Sequence, residues 1–387
     1  MLDQRLSARG GADRYLVAIL DHLQGRVETL LAVGHDDGSL PPGERRRLGP
    51  WQRLKGLERG GLSARGGQAV RRRLEGLLAE YRPQVIHLHN LMDPELIALA
   101  AARAPAVMTV QDHRLFCPGL GKLTPAGESC RRHLGPHCLE CFHDRDYGRR
   151  LLELTRRRLQ AAAGLKRVTV LSAYMARELK RAWAGLGLAG PPVEVLPPFV
   201  HGLEPVRRPG AGEYHLLACR LVERKGVRVA LAAAESGELS LPLVVAGDGT
   251  LAGEVEARAR ASRGRVRFVG WAQREDMARL LAGARSLWMP SLWAEPFGIA
   301  GLEALALGVP VIASRVGGVS DWLEPGGLAV VPGDVPALVR AARSLEVDAD
   351  KARELGRIGR ERVRARFAPG PLLSRLIDIY HSMHHAE

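Results

Sequence analysis

Ser291-Leu292-Trp293-Ala294-Glu295-Pro296-Phe297-Gly298-Ile299-Ala300-Gly301-Leu302-Glu303 is the stretch from which the rest of the chain can be read. Pro296 suits the first turn of a helix, where its missing N–H costs nothing. Phe297 and Gly298 would then offer free backbone N–H groups at a helix N-terminus, a ready anion site. Glu303 falls two turns on, so the two carboxylates stand roughly 10–12 Å apart. That exceeds the ~5–9.5 Å at which paired carboxylates hydrolyse a glycosidic bond. A long ligand fits better, with one Glu near each end and a phosphate between. An unpartnered Glu303 inside an apolar helix would be costly, which argues for a ligand role. The stretch sits between two apolar runs, Ser286–Met289 and Val309–Ala313, and so reads as strand, helix, strand.

The same alternation extends in both directions. Further strands are expected at Val27–Val33, Val85–Leu88, Ala106–Val110, Arg167–Leu171, Val193–Leu196, Tyr214–Cys219, Leu243–Ala246 and Val266–Val269, with helical stretches between them. Such alternation predicts α/β architecture with parallel sheets covered on both faces. The pattern pauses at Leu196–Gly212, rich in Pro and Gly, then runs a second time. Residues 1–205 are therefore expected as one doubly wound domain and 206–370 as a second. An amphipathic helix over 371–387 would either close the second domain or pack back on the first. Gly10 and Gly11 arrive after only nine residues, so the first domain's opening strand is expected to be cut short, either because its body lies upstream of Met1 or because the central strand is itself shortened.

Glu295 and Glu303 reproduce the Glu-x7-Glu motif of the retaining glycosyltransferases of family 4, and the chain resembles that family over nearly its whole length. The resemblance implies a GT-B fold, two Rossmann-like domains facing across a cleft. It implies transfer of a hexosyl unit from a UDP-, GDP- or ADP-sugar with retention of configuration, and no cofactor needed for catalysis. Glu295 would contact the transferred sugar, Glu303 the donor ribose, and the amides of Phe297, Gly298 and Ile299 the sugar and diphosphate. Arg220 and Lys225 match the family's diphosphate-binding Arg-x4-Lys-Gly. Fixed cations there stabilise the charge of a leaving diphosphate without a metal. Gly247, in Gly247-Asp248-Gly249, marks a turn at a sheet's carboxyl edge on the donor side, and Gly10 and Gly11 match the family's N-terminal Gly-Gly loop.

On the acceptor side, His89 and Asn90 end one strand, and Gln111, Asp112 and His113 end another; both loops are expected to open into the cleft. The family usually carries His-Asp where this chain has Gln111-Asp112. Gln cannot carry a proton, so no general base is expected at that position.

Cys117, Cys130, Cys138 and Cys141 lie within 25 residues with C-x12-C-x7-C-x2-C spacing. Four thiols including a Cys-x2-Cys knuckle suffice for tetrahedral zinc. Structural zinc, free or redox-sensitive thiols, and disulfides all remain open, and a zinc or thiol sensor is one alternative function.

Composition limits the partners. Residues 1–200 carry 31 Lys and Arg against 20 Asp and Glu, whereas the remainder carries 25 against 22. A basic first half fits an anionic membrane or a phosphorylated substrate, and the expected acceptor is a glycan, a lipid-linked molecule such as a lipopolysaccharide or exopolysaccharide intermediate, or a small molecule. With no RNA- or DNA-binding motif among the arginines, nucleic acid is not expected. No apolar run reaches the ~20 residues of a membrane span and no signal-peptide h-region opens the chain. A cytoplasmic location, peripheral at the inner membrane face, is the expectation. The other alternative is a non-catalytic nucleotide-sugar-binding or scaffold protein.

Overall fold

Strand–helix alternation resolves into two parallel sheets. The computed structural model describes residues 1–7, 11–61, 67–200 and 212–384. One unit comprises Met1–Pro125, Cys130–Phe199 and Pro369–Glu387; the other comprises Ala126–Ser129 and Val200–Ala368. Gly10 and residues 201–211 of the expected pause at Leu196–Gly212 lie outside the described residues.

In the first unit the strands are β1 (Leu2–Leu6), β2 (Leu31–Asp36), β3 (Trp51–Arg53), β4 (Ile86–His89), β5 (Ala106–Val110), β6 (Arg167–Val170) and β7 (Val193–Val195). They stand in the order β3-β2-β1-β4-β5-β6-β7. In the second unit β8 (Tyr214–Ala218), β9 (Leu243–Ala246), β10 (Val266–Gly270), β11 (Ala284–Met289), β12 (Val311–Ser314) and β13 (Gly327–Val330) stand in the order β10-β9-β8-β11-β12-β13. Strand order reverses between β1 and β4 and between β8 and β11. In open α/β sheets ligands bind at such switch points, outside the carboxyl ends of the strands.

The first strand differs from the expectation. β1 is a five-residue central strand, paired with β2 from Leu2 to Leu6 and with β4 at Leu2 and Asp3. Its polar centre hid it: Asp3 and Gln4 are buried in the strand alongside Leu2 and Leu6. No alternation of apolar and polar residues marks such a strand.

Local chemistry starts the helices. Asp93 accepts from the Glu95 N–H ahead of Pro94–Arg103, Ser172 from Met175 ahead of Ala173–Gly185, and Asp334 from Ala337 ahead of Val335–Val347. Each satisfies an orphan donor of a first turn. In the Arg-rich helix Ala349–Arg366, Gly356 and Gly359 are buried. A Cβ on Gly356 would fall 1.9 Å from the Gly308 carbonyl oxygen, and one on Gly359 would fall 2.7 Å from Leu305. The missing side chains let this helix lie against Ile299–Ala306, the helix that carries Glu303.

The last helix, Pro369–His384, belongs to the first unit. Tyr380 hydrogen-bonds His87 Nδ1 at 2.6 Å, and Arg375 donates to the Val195 carbonyl at 3.0 Å. Among the described residues no helix is long and apolar enough to cross a membrane.

Candidate active site

The carboxyl ends of β8 and β11 hold the densest group of predicted site residues. After β8 a 3-10 turn, Glu223–Lys225, runs into left-handed Gly226 (φ 69°), which opens the helix Val227–Glu235. Only glycine fits there, because a Cβ would lie 1.8 Å from the Pro290 carbonyl oxygen. The turn is stitched to the loop after β11: the Arg224 carbonyl accepts from the N–H groups of Leu292 (2.9 Å) and Trp293 (3.4 Å). Lys225 Nζ then donates to Glu295 Oε1 at 2.6 Å, and Ser291 Oγ donates to the same oxygen at 2.6 Å.

Glu295 is buried, and burial by itself would raise its pKa. The Lys225 charge and hydrogen bond, with hydrogen bonds from Ser291 and Trp293, outweigh that and hold the carboxyl below its ordinary value. The Trp293 ring lies 4.7 Å from the Arg224 guanidinium carbon and 5.4 Å from Lys225 Nζ, within cation–π range. Gly317, at φ 54°, passes so close that a Cβ would lie 2.2 Å from the Glu295 carbonyl oxygen, and the Gly318 N–H donates to that oxygen at 2.8 Å.

Beyond Glu295 the helix begins later than the proline suggests. It spans Ile299–Ala306 with Gly298 as its left-handed N-cap (φ 90°). Pro296 and Phe297 are therefore loop residues. Phe297 is driven into the core, where its carbonyl accepts from Trp322 Nε1 at 2.6 Å. The first free amides of the helix follow Gly298. Glu303 stands half-buried within the helix.

Arg220 is exposed just past β8. Its neighbours are tied to the Gly247–Gly249 turn: Cys219 N–H donates to Ala246 O, and Leu221 N–H to Asp248 O at 2.8 Å. Gly247 N–H in turn donates to Gly270 O at 2.7 Å. Thus the turn sets the backbone that carries Arg220.

The first unit gathers most of its predicted residues too, but inside the protein. Asn90, at φ 49°, donates from Nδ2 to Gln111 Oε1 at 2.8 Å, and Gln111 Nε2 lies 3.5 Å from His89 Nδ1. His89, Asn90, Gln111 and His113 are all buried. Burial lowers the His89 pKa to about 3, leaving the ring neutral. His113 Nε2 lies 3.1 Å from Tyr174 OH. Asp112 caps the turn His113–Leu115 and pairs with Arg114 at 2.8 Å. Hydrogen bonds among these side chains thus hold the shape of the two loops. Gly11 opens the helix Gly11–Leu23 and is exposed. All four clustered cysteines are free and half-buried, and no group of three or more His, Cys, Asp or Glu among the described residues is arranged to hold a metal as it stands.

Other contributors carried no signal in the sequence. Arg158 donates to the carbonyls of Met92 (2.7 Å) and Gly60 (2.8 Å), bridging two loops. Asp3, paired in register with His89, has its carboxyl pushed well up by burial and then by Asp13. Asp13, in the first turn after the diglycine, is raised to about 7, mainly by burial. Single charged residues in apolar surroundings look like surface residues until the fold places them.

Comparison with known proteins matches this arrangement. The model for glycosyl transferases group 1 covers residues 205–362, and that for glycosyltransferase family 4 covers residues 9–201. The 2-deoxystreptamine N-acetyl-D-glucosaminyltransferase of Streptomyces fradiae is 30% identical over 327 residues, 74% of this chain and 77% of that one. The chain belongs to the group 1 glycosyltransferases. A second relative of this family, the glycogen synthase of Mycobacterium tuberculosis, is 36% identical over 169 residues, 42% of this chain, and the match spans only 41% of that protein's length. Anabaena HepE, solved in complex with UDP, superposes with a TM-score of 0.73 at 18% identity, covering 98% of this chain and 99% of that one. This glycosyltransferase therefore has the two-domain GT-B fold.

Proposed function

We propose that this glycosyltransferase moves a hexosyl unit from a nucleoside-diphosphate sugar to a hydroxyl of a glycan or lipid-linked acceptor, with retention and without a catalytic metal. The observation that carries the reading is the Lys225–Glu295 pair at the switch point of the second sheet, with exposed Arg220 on the same loop. Arg220 and Lys225 supply the two positive charges that a leaving diphosphate requires, in the place of a divalent cation. The amides after Gly298 bind the anionic linkage. Glu303 takes the ribose hydroxyls, and Glu295, fixed as a carboxylate, orients the sugar.

In the reaction the bond from the anomeric carbon to the diphosphate oxygen breaks, and a bond to the acceptor oxygen forms on the same face. The acceptor's proton passes to the departing diphosphate. No protein base is required, which agrees with a neutral, buried His89 and with Gln111, neither of which serves as a proton acceptor at neutral pH. UDP in the HepE complex supports a nucleotide donor. The basic first half of the chain supports an acceptor at an anionic surface; equal binding to anionic and neutral vesicles at low salt would remove that part.

Thermal-shift titration with UDP, GDP and ADP tests the donor site. A nucleotide at about 100 times its dissociation constant should stabilise the fold by about 2.7 kcal/mol. Glu303→Ala should lose most of that shift. If none of the three moves the melting temperature of the folded enzyme, the donor assignment fails.

A further inference from the structure

The reaction proposed above needs the Lys225 ammonium to meet a departing diphosphate, yet a lysine carries its charge on a flexible stem. The backbone of Lys225 is already fixed. Its N–H donates to the Val222 carbonyl at 3.0 Å, and the next residue, Gly226, passes close against the Pro290 carbonyl. The side chain needs its own guide, and Glu295 Oε1 takes a single donor of the ammonium. Trp293 supplies a second contact. Two other tryptophans of the second unit, Trp288 and Trp322, are fully buried and donate their indole N–H groups to Ser286 Oγ (3.2 Å) and to the Phe297 carbonyl (2.6 Å). Trp293 is only half-buried, and charge lies over its ring: the Lys225 ammonium at 5.4 Å and the Arg224 guanidinium carbon at 4.7 Å. Neighbouring cations repel, and an electron-rich ring facing both lowers the cost of holding them together. Arg224 also fixes the main chain that bears the ring, because its carbonyl accepts from the N–H groups of Leu292 and Trp293.

We propose that Trp293 is a positioning residue for diphosphate binding: clasped by Arg224 through main chain and guanidinium, its ring steadies the Lys225 ammonium where the donor's distal phosphate is held. The inference rests on the donor reading above. Trp293 acts through Lys225 rather than on the ligand itself. Its effect therefore follows the charge that Lys225 meets. In the leaving group that charge gathers on the distal phosphate, and a nucleoside diphosphate reproduces it. A nucleoside monophosphate keeps the base, the ribose and the first phosphate but lacks that group. The ring should matter for the first ligand and not for the second.

The test is calorimetric titration of the full chain with UDP and UMP, GDP and GMP, and ADP and AMP, carried forward with the pair that binds the wild type. Trp293→Leu should weaken diphosphate binding by about 5–30-fold, the span of one partly desolvated cation–π contact. Monophosphate binding should change by less than about 2-fold. Trp293→Phe keeps an aromatic face and should return diphosphate affinity to within about 3-fold of wild type. Equal weakening of both ligands would mean that the indole only supports the fold, and it would overturn the proposal, as would unchanged diphosphate affinity in Trp293→Leu. If Trp293→Leu does not fold, fluorinated tryptophan at all six positions serves instead, since fluorine drains the ring face while nearly keeping its shape. Diphosphate affinity should then fall with each added fluorine while monophosphate affinity holds, and parallel or absent changes would overturn the proposal. A folded wild type that binds no nucleotide of either length refutes the donor reading, and this inference falls with it.

Discussion

Replacing Lys225 with Met asks whether the two loop charges act as a unit. The Glu295 side chain is 4% exposed and that of Lys225 20%. Removing the ammonium leaves a buried carboxylate with only the bonds from Ser291 and Trp293. Breaking one side of a buried pair costs about 3–5 kcal/mol. Those remaining bonds and the partial exposure of Lys225 bring the expected loss to about 2–3 kcal/mol. Glu295→Gln should cost less, about 1 kcal/mol, because the abandoned ammonium can reach solvent. The double variant should be more stable than the sum of the singles by about 1–2 kcal/mol.

The pH dependence has a definite sign. In the wild type the Glu295 carboxyl is depressed, so its contribution is present above the unfolded value near about 4.3 and lost as pH falls through the lower folded value. In K225M the neighbouring positive charge is gone and burial raises the carboxyl. The deficit against wild type should then be largest near about pH 8 and shrink as Glu295 protonates toward about pH 5. Urea unfolding followed by tryptophan fluorescence reads the right unit, since Trp271, Trp288, Trp293 and Trp322, four of the six tryptophans, lie in it. A deficit below about 0.5 kcal/mol, or one unchanged across that pH range, would refute the reasoning.

Three further outcomes are expected. Arg220→Ala should lower turnover by about 10²–10³-fold while shifting stability by less than about 0.5 kcal/mol, as steady-state transfer and denaturation of the same sample will show. Gly317→Ala should cost about 1–3 kcal/mol and impair transfer, because its Cβ displaces the Glu295 backbone; normal activity would show that this loop yields freely. In the second unit Glu346 is held at about 2: burial would raise it, but the His215 hydrogen bond and the amides of Ser240 and Leu241 prevail. Its contribution is intact above the unfolded value near about 4.3 and is lost as pH falls toward 2. Glu346→Gln should therefore flatten that part of the acid-unfolding curve.

Strands with purely apolar cores, such as Ala106–Val110 and Leu243–Ala246, were legible because each run is short, buried and bounded by Pro, Gly or Asp. β1 was not, since Asp3-Gln4-Arg5 carries a surface signature into the middle of a sheet. The Glu295–Glu303 stretch stood out from spacing alone as two carboxylates flanking a strand-to-helix loop. Its helix start was misplaced, because a proline at N1 and a left-handed glycine cap two residues later look alike until Phe297 is seen in the core.

The sequence by itself determined the parallel α/β class, the choice of Arg220, Lys225, Glu295 and Glu303 as one candidate set, and the clustering of thiols along the chain, because periodicity and residue type are local properties. Only the tertiary structure decided that Lys225 meets Glu295 seventy residues away, that Arg224 stitches their loops together, and that His89, Gln111 and His113 turn inward. Those outcomes depend on strand order and on which side chains lose water. They are set by packing between segments distant in the chain, and no window of sequence contains that information.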